Sequence, residues 1–588
     1  MHPWASDDLS RDEGTSSGLV NGDVYVWPAP SGAEEPDGRL TPDELREYAP
    51  EIRALGAAGL AEQRFRRYRE ARLTLVGTGP VLAALLRRAL RTGCRDIHVR
   101  HTRPADADGL AELVEGSRRD SGQRVCVQPD HGVLTLTDTV LQVSGSVAEL
   151  IATADGCARA GASLGQVLFS GDEMWTGPVG PADRTAAASA WRRLRGGPAA
   201  GAAPGGALAG PLPEIGAHQL FSAWYRCATG VAGPYGSPYL VRTDLRTWTA
   251  GRHRFLSLSL TRATRPVAQA EARAAFLGRL GGAGVEADRL LQRASAVEDA
   301  RTGLVGPVDE KTVEVGPFSR WECEMAVADP FGARPAGAPD VTVTGHGGDR
   351  RTAYLTALLA ALAAYGALAA RPRGPGAPDV WGLDLVTGGL RRIPARNAHP
   401  GWDPASPARP PVGAAAGLTW AHAVEDGLAQ HCDLLLARRL AEPGTRVPRL
   451  ALPTDETVGL ADVLCLLYML GDPVVHDLSA LLSVPACAIR LGAKTVVATG
   501  ATRSAAVRTA AERALLTQRS DTWTVPAITS EQEESDGPFP GGRRTIGRAR
   551  LAEVLRTRGR TPVGVLLDHD PQAVAVLPYA VQVVLVDE

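Results

Sequence analysis

The residues best suited to chemistry stand where a short strand turns through glycine into a helix. At 341–366 (VTVTGHGGDRRTAYLTALLAALAAYG) a β-branched run leads through Gly345, Gly347 and Gly348 into an Ala- and Leu-rich helix. Such a junction is a potential anion cradle, because free backbone N–H groups and the positive end of the helix dipole face the turn. The helix carries no charge from Thr352 to Ala370, so nothing on it could hold magnesium, relay a proton or attack a carbonyl. A second helix, 421–440, follows Ala416-Gly417-Leu418-Thr419 and offers Glu425, Asp426, Gln430, His431 and Asp433. A third, 505–520, follows Gly500-Ala501-Thr502-Arg503-Ser504 and offers Glu512, Arg513 and Thr517. Near the start, Gly77-Thr78-Gly79-Pro80 follows the strand 73–76. Leu82 holds the third glycine position of G-x-G-x-x-G, and the next strand ends at His101 where a ribose-binding acid would stand. Gly77 and Gly79 are therefore an incomplete Rossmann turn.

The elements that position these residues alternate as in an α/β protein. Thr41 and Glu44 have the spacing of a capping box at a helix start. Before it, 23–27 could form one strand. The strand 73–76, a helix over 81–92 and the strand 96–100 make a strand–turn–helix–strand unit. Strands at 124–127, 132–136 and 139–143, a helix over 147–160 and a strand at 165–170 continue it. The Gly- and Pro-rich tract 196–216 reads as a flexible insertion, and 239–245 and 255–260 as strands after it. From about 263 the character changes: a helical segment over 267–294, then strands at 324–327, 341–344, 381–386, 564–568 and 581–586.

The three helical junctions resemble the nucleotide-binding motifs of the YcaO family, which uses ATP to turn Cys, Ser or Thr of a precursor peptide into azoline rings. In that family the first helix reads Ala-x-x-Ser-Ala-x-x-Glu-x-x-Glu-Arg. Two Glu three residues apart share a helix face and can hold magnesium on the phosphates. Here Ala353, Thr356 and Ala357 keep the frame, and Ala360, Ala363 and Ala364 stand where Glu, Glu and Arg belong. The second Glu-x-x-Glu-Arg becomes Gln430, Asp433 and Leu434. In the third motif, Arg513 or Thr517 takes the Glu position, depending on the frame. Asp299-Ala300-Arg301-Thr302-Gly303-Leu304 resembles the segment by which the chain enters YcaO domains. The run 71–262, with Gly177-Pro178, is similar to the ThiF-like domain that precedes or partners YcaO domains, without its Cys motif or zinc-binding pairs.

The resemblance implies an α/β fold: 1–70 an N-terminal segment, an abbreviated peptide-binding element; 71–262 a ThiF-like, Rossmann-type domain with its insertion at 196–216; and 263–588 a degenerate YcaO-like α/β domain. It implies a pseudoenzyme. No catalytic residue, metal or cofactor is expected, and the role would be to hold a precursor peptide, or a catalytic YcaO subunit, in thiazole- or oxazole-type peptide tailoring. Two alternatives stay open. One is an active cyclodehydratase binding ATP and Mg through Asp433, Glu512 and Glu425; the other is a Rossmann-type enzyme or sensor binding a nucleotide at Gly77 and Gly79.

Composition narrows the partners. A formal net charge of -2 over 588 residues argues against a broad nucleic-acid surface. Lys311 and Lys494 are the only lysines, so the basic charge is almost all Arg. The eight cysteines form no C-x-x-C pair, which speaks against a structural zinc site. The first residues lack the basic and apolar regions of a secretory signal. The nearest approach to a membrane span, 354–370, is Ala-rich and short. A cytoplasmic protein without a membrane segment is expected, working as an oligomer.

Overall fold

The structure, a computed structural model, describes residues 39–56, 58–103, 106–130, 138–182, 186–195, 211–231, 239–258, 267–315, 318–332, 340–370, 377–401, 410–442, 444–450, 460–517, 524–525, 531–532 and 548–587. The expected strands at 23–27 and 132–136 lie outside them. The chain divides into two compact units. The first runs to Leu258 and takes in Asp299–Gly303; the second comprises Ser259–Glu298 and Leu304–Glu588.

Unit 1 opens with three helices, Pro42–Glu47, Ala49–Arg53 and Ala58–Glu70. Thr41 caps the first: its hydroxyl accepts from Glu44 N at 3.2 Å while Glu44 Oε2 accepts from Thr41 N at 2.9 Å. Tyr48, Phe65 and Tyr68 bury their rings against the main core with Leu82, Leu85 and Trp224. Five parallel strands follow: β1 (Arg72–Gly77), β2 (Asp96–His101), β3 (Arg124–Pro129), β4 (Thr139–Ser144) and β5 (Ser163–Ser170). They lie in the order β3-β2-β1-β4-β5. Helices Gly79–Arg91, Ala107–Ser117 and Val147–Ala160 connect them, and all six residues of β4 are buried, as a strand covered on both faces requires. Antiparallel strands extend this Rossmann-type sheet: β6 (Glu173–Thr176), β7 (Gly180–Pro181), β8 (Tyr239–Asp244) and β9 (Ala250–Arg254).

Three expectations are corrected here. The strand after β8 is 250–254, and 255–258 is not strand. The turn at Asp244, whose carboxylate accepts from Arg246 N and Thr247 N, closes so tightly that pairing resumes at Ala250. The insertion expected over 196–216 is not irregular to its end: 196–210 lies outside the described residues, but Leu212–Ala228 is a helix that buries Leu220, Phe221 and Trp224. Apolar spacing outweighs the Gly and Pro content there. The segment 267–294 is two helices, Gln269–Leu280 and Ala287–Ala294, separated by Gly281, Gly282 and Gly284, the last at φ +84°.

Asp299–Gly303 packs as a strap on unit 1. Arg301 reaches both oxygens of Glu173 at 3.0 and 2.7 Å, lies 4.9 Å from the Trp175 ring and donates from Nε to Arg195 O at 3.0 Å. Thr302 donates to Arg254 O at 2.5 Å, and the Asp299 carboxylate meets His253 at 3.0 Å. The run expected to open the second domain thus belongs in part to the first.

Unit 2 holds three separate antiparallel sheets of three or more strands. The first is β10 (Asp309–Val315), β11 (Phe318–Val327) and β12 (Val341–Gly347). The second runs β14-β13-β22-β23-β15, from β13 (Val380–Asp384), β14 (Leu390–Ile393), β15 (Ala414–Ala416), β22 (Arg560–Leu566) and β23 (Ala580–Asp587). A third, unread in the sequence, orders β17 (Val474–Asp477), β18 (Ala486–Leu491), β19 (Lys494–Thr499) and β20 (Thr524–Val525). The dipeptide strands β16 (Val447–Pro448) and β21 (Glu531–Gln532) pair in parallel. Among the described residues one helix, Arg350–Ala370, is long and apolar enough to cross a membrane by length and composition; it contains the run 354–370 read in the sequence as the nearest approach to a span. It is mostly buried, in contact with β11, β12, β15 and β23.

Candidate functional site

The three junctions singled out in the sequence share one construction. After β12, Gly347 is followed at the second position by Asp349, which caps the helix by accepting from Thr352 N at 2.9 Å. After β15, Gly417 is followed by Thr419, which accepts from His422 N at 3.2 Å. After β19, Gly500 is followed by Thr502, which accepts from Ala505 N at 3.1 Å. A Cβ built on each glycine would fall 2.6, 2.6 and 2.4 Å from the backbone N of Ala353, Ala423 and Ala506, six residues on. These glycines let the helix's first turn press against the end of the strand.

That corrects the expected anion cradle. Gly345 and Gly347 are strand residues, paired with Cys323 and Trp321. A Cβ on Gly345 would sit 2.0 Å from Ala357 N, so close packing of helix on strand fixes the residue. The helix end is served by its own Asp349, whose carboxyl the Thr352 hydroxyl and N–H hold below the usual range. The Rossmann turn of unit 1 is built the same way. A Cβ on Gly77, at φ +145°, would lie 2.5 Å from Val143 O. The N–H of Gly79 donates to Asp106 Oδ2 at 3.0 Å, and the Thr78 hydroxyl bonds the same oxygen. A carboxylate of the chain already stands where a phosphate would bind.

On the Arg350–Ala370 helix, Thr356 is exposed and donates its hydroxyl back to Thr352 O at 2.8 Å, and Ala360 is half-buried. Ala363 and Ala364 are buried, at 3% and 0% exposure. On the helix Trp420–Leu440, Gln430 turns to the start of β15, accepting from Gly413 N at 2.8 Å and donating to Ala414 O at 3.1 Å. Asp433 points the other way. Its Oδ1 accepts from Thr499 N on β19 at 2.8 Å, and its Oδ2 meets Arg513 Nη1, on the helix Arg503–Thr517, at 2.6 Å. The same nitrogen donates to Val497 O at 2.6 Å. Leu434 is half-buried, and Thr517 ends its helix. Of the nine positions the structure thus brings Asp433 and Arg513 into direct contact, and Gln430 serves a different strand.

These residues do not fit magnesium–ATP. Asp433 is neutralised by Arg513, and Glu512 pairs with Arg508 at 3.2 Å on the same helix. Among the described residues no three His, Cys, Asp or Glu side chains gather to hold a metal ion. His431 bonds Val583 O at 2.9 Å, and burial lowers its pKa. Sequence reasoning also missed Tyr354 and Glu298, which hydrogen-bond beside the first helix. Burial raises both their pKa values, keeping Glu298 above the usual carboxylate range. Tyr354, inside an apolar run, is the one signal that could have marked them.

No protein-family model and no curated protein matches this sequence. Among solved structures, the chain is similar to a heterocyclase in complex with substrate and cofactor, at 14% identity and a TM-score of 0.54, over 93% of this chain and 84% of that one. The fold is that of a heterocyclase. The heterocyclase TruD aligns at 13% identity and a TM-score of 0.46, over 94% of this chain and 83% of its own. YcaO from Methanopyrus kandleri, bound with AMPPCP and Mg2+, aligns at 17% and 0.33 over 48% of this chain and 85% of its own. The expected α/β class, with a Rossmann-type sheet in the first part of the chain and a further α/β part after it, is the fold observed.

Proposed function

We propose that this chain is a non-catalytic partner in azoline-forming tailoring of a ribosomal peptide, holding the precursor peptide or a catalytic YcaO subunit. The observation that carries this is the Asp433–Arg513 pair. The one acidic residue left at the motif positions is spent on an arginine and a backbone N–H, and Ala363 and Ala364 are closed off from solvent. A magnesium–nucleotide complex needs fixed carboxylates and cations around its phosphates. At these positions the chain offers apolar side chains and one internal ion pair. The heterocyclase fold supplies the context, and helices 39–70 would be the remnant of a peptide-binding element.

A partner that holds the peptide makes each ring closure intramolecular and raises the local substrate concentration to about millimolar for a short linker. The test incubates precursor and catalytic subunit with and without this protein and weighs the peptide. Each ring costs one water, so the mass deficit counts rings. Rings should form only when this protein is present, and the protein alone should not turn over ATP. Complete ring formation in its absence, or precursor-dependent ATP hydrolysis by this chain alone, would overturn the proposal.

A further inference from the structure

In unit 2 two imidazoles meet where the end of a short helix touches the loop that leaves β22. β14 runs into the helix Ala395–Ala398, and His399 closes it, its N–H donating to Ala395 O at 3.0 Å. β22 runs into Leu567, Asp568 and His569, ahead of the helix Pro571–Val576. The two rings stand edge to face, their centroids 5.1 Å apart and their planes at 85°. His399 is 6% exposed, and neither of its ring nitrogens has a hydrogen-bond partner. Ile393 and Ala398, close to it in the chain, join Val563, Val565 and Val584 in one apolar core. A buried polar group without a partner costs stability that an apolar side chain of similar size would not. Packing alone does not call for a histidine there.

The charged groups on the surrounding elements are engaged elsewhere. After β22, Asp568 meets Arg279 at 3.4 Å, and Asp570 accepts from the Tyr365 hydroxyl at 2.5 Å and from Gln572 N at 2.9 Å. On β13, Asp384 Oδ1 closes its own turn by accepting from Val386 N and Thr387 N. On β14, the Arg392 guanidinium lies 5.6 Å from the Trp381 ring centroid and 3.9 Å from Asp379. On β23, Asp587 pairs with Arg560 at 3.2 Å, and Arg396 of the short helix is exposed. A proton on His399 would therefore be a charge out of water, beside a second imidazole and with no carboxylate paired to it. Burial first, and then His569, hold the ring neutral down to a pKa of about 3. Between the ordinary histidine value and that one, an opened chain binds the proton and the closed one does not. Closure is thus fully supported above the ordinary histidine value and weakens as the pH falls below it.

We propose that His399 and His569 form an acid-released latch: protonation parts the corner 395–399 from the loop 567–570 and brings His399 into solvent. The proposal is independent of whether unit 2 is catalytic. The test is backbone hydrogen exchange on the full chain, read by mass spectrometry from neutral pH into the mildly acid range. Rates in peptides covering 393–399 and 563–570 are divided by those of His399→Leu at the same pH, which cancels the intrinsic pH dependence of exchange. The ratio should be flat above the ordinary histidine value and rise by roughly tenfold per pH unit below it, as one proton taken up on opening requires. Peptides over β4 should keep a constant ratio, and a return to neutral pH should restore protection. Should His399→Leu fail to fold, His399→Met serves as the reference. Exchange of the imidazole C2 hydrogen in the unsubstituted protein reads the protonation of His399 directly and should place it below the ordinary histidine value. A ratio unmoved by pH, a rise shared equally by β4, protection that does not return, or His399 titrating at or above the ordinary value would each overturn the proposal.

Discussion

Asp433→Ala decides whether the last acidic residue of the degenerate motifs is a ligand or a strut. Its side chain is 14% exposed and that of Arg513 18%, so little solvent screens the pair. Truncation takes the carboxylate from Arg513 and the acceptor from Thr499 N. Removing one partner of a buried pair costs about 3–5 kcal/mol, and the remaining solvent contact favours the lower end. At roughly 2–4 °C per kcal/mol for a domain of this order of size, differential scanning calorimetry should show a fall of about 6–12 °C. Asp433→Asn, which still accepts from Thr499 N, should fall by less. Asp433→Leu combined with Arg513→Met should recover most of the loss, since apolar isosteres of a buried pair are close to neutral. Magnesium should not shift the wild-type transition. An unmoved melting temperature in Asp433→Ala, or magnesium-dependent stabilisation that this variant loses, would refute the strut.

The strap makes a parallel prediction: Arg301→Ala loses a forked pair and a ring contact, while Glu173 keeps Arg242 and the Trp175 indole, so about 2–3 kcal/mol should go. Burial works to raise the Glu173 pKa, but Arg301, Trp175 and Arg242 bring it below the usual range. Its stabilisation is therefore present above the unfolded carboxylate pKa and lost as pH falls through the folded value, and melting curves taken down the acid range should show wild type and Arg301→Ala converging. Gly345→Ala should expose the Arg350–Ala370 helix to rapid hydrogen exchange, because its Cβ would lie 2.0 Å from Ala357 N. Ala364→Arg, which restores the family residue, should yield insoluble or unfolded protein rather than nucleotide binding, since position 364 is fully buried and a lone charge there costs several kcal/mol, of order 3–5.

The sequence made regular elements legible where apolar spacing was strong. The helix 147–160 is found as Val147–Ala160, and the uncharged run from Thr352 to Ala370 lies within a mostly buried helix. The roles of glycines were not legible. Gly345 and Gly77 owe their identity to Ala357 and Val143, neighbours that come close only in the fold. The same holds for Asp433, whose partner Arg513 is eighty positions away, so a shortened carboxylate looked like a weakened ligand. The sheet from β17 to β20 escaped notice although its hairpin turns at Gly492, φ +60°, just ahead of the β-branched run Thr495-Val496-Val497; the strand before the turn, Ala486–Leu491, has Ile489 alone. The turns Asp244-Leu-Arg-Thr-Trp248 and Asp384-Leu-Val-Thr-Gly388 stand in plain sight, and only the backbone angles show that both end on a left-handed residue, at φ +60° and +75°.

The strap also bears on how the nascent chain matures. On the ribosome the early part of a protein folds first when it is complete. Unit 1 is not complete at Leu258: His253 and Glu173 wait for Asp299 and Arg301, which emerge only after both helices of 267–294. Until then its last strand lacks the clasp at Arg254 O. A gene cut between the two units would separate Glu173 from Arg301, so the two halves would not be freely separable as independent polypeptides. The fusion is written into the first unit's own stability, and any attempt to express that unit alone must carry residues 299–303 with it, by a linker or by circular permutation.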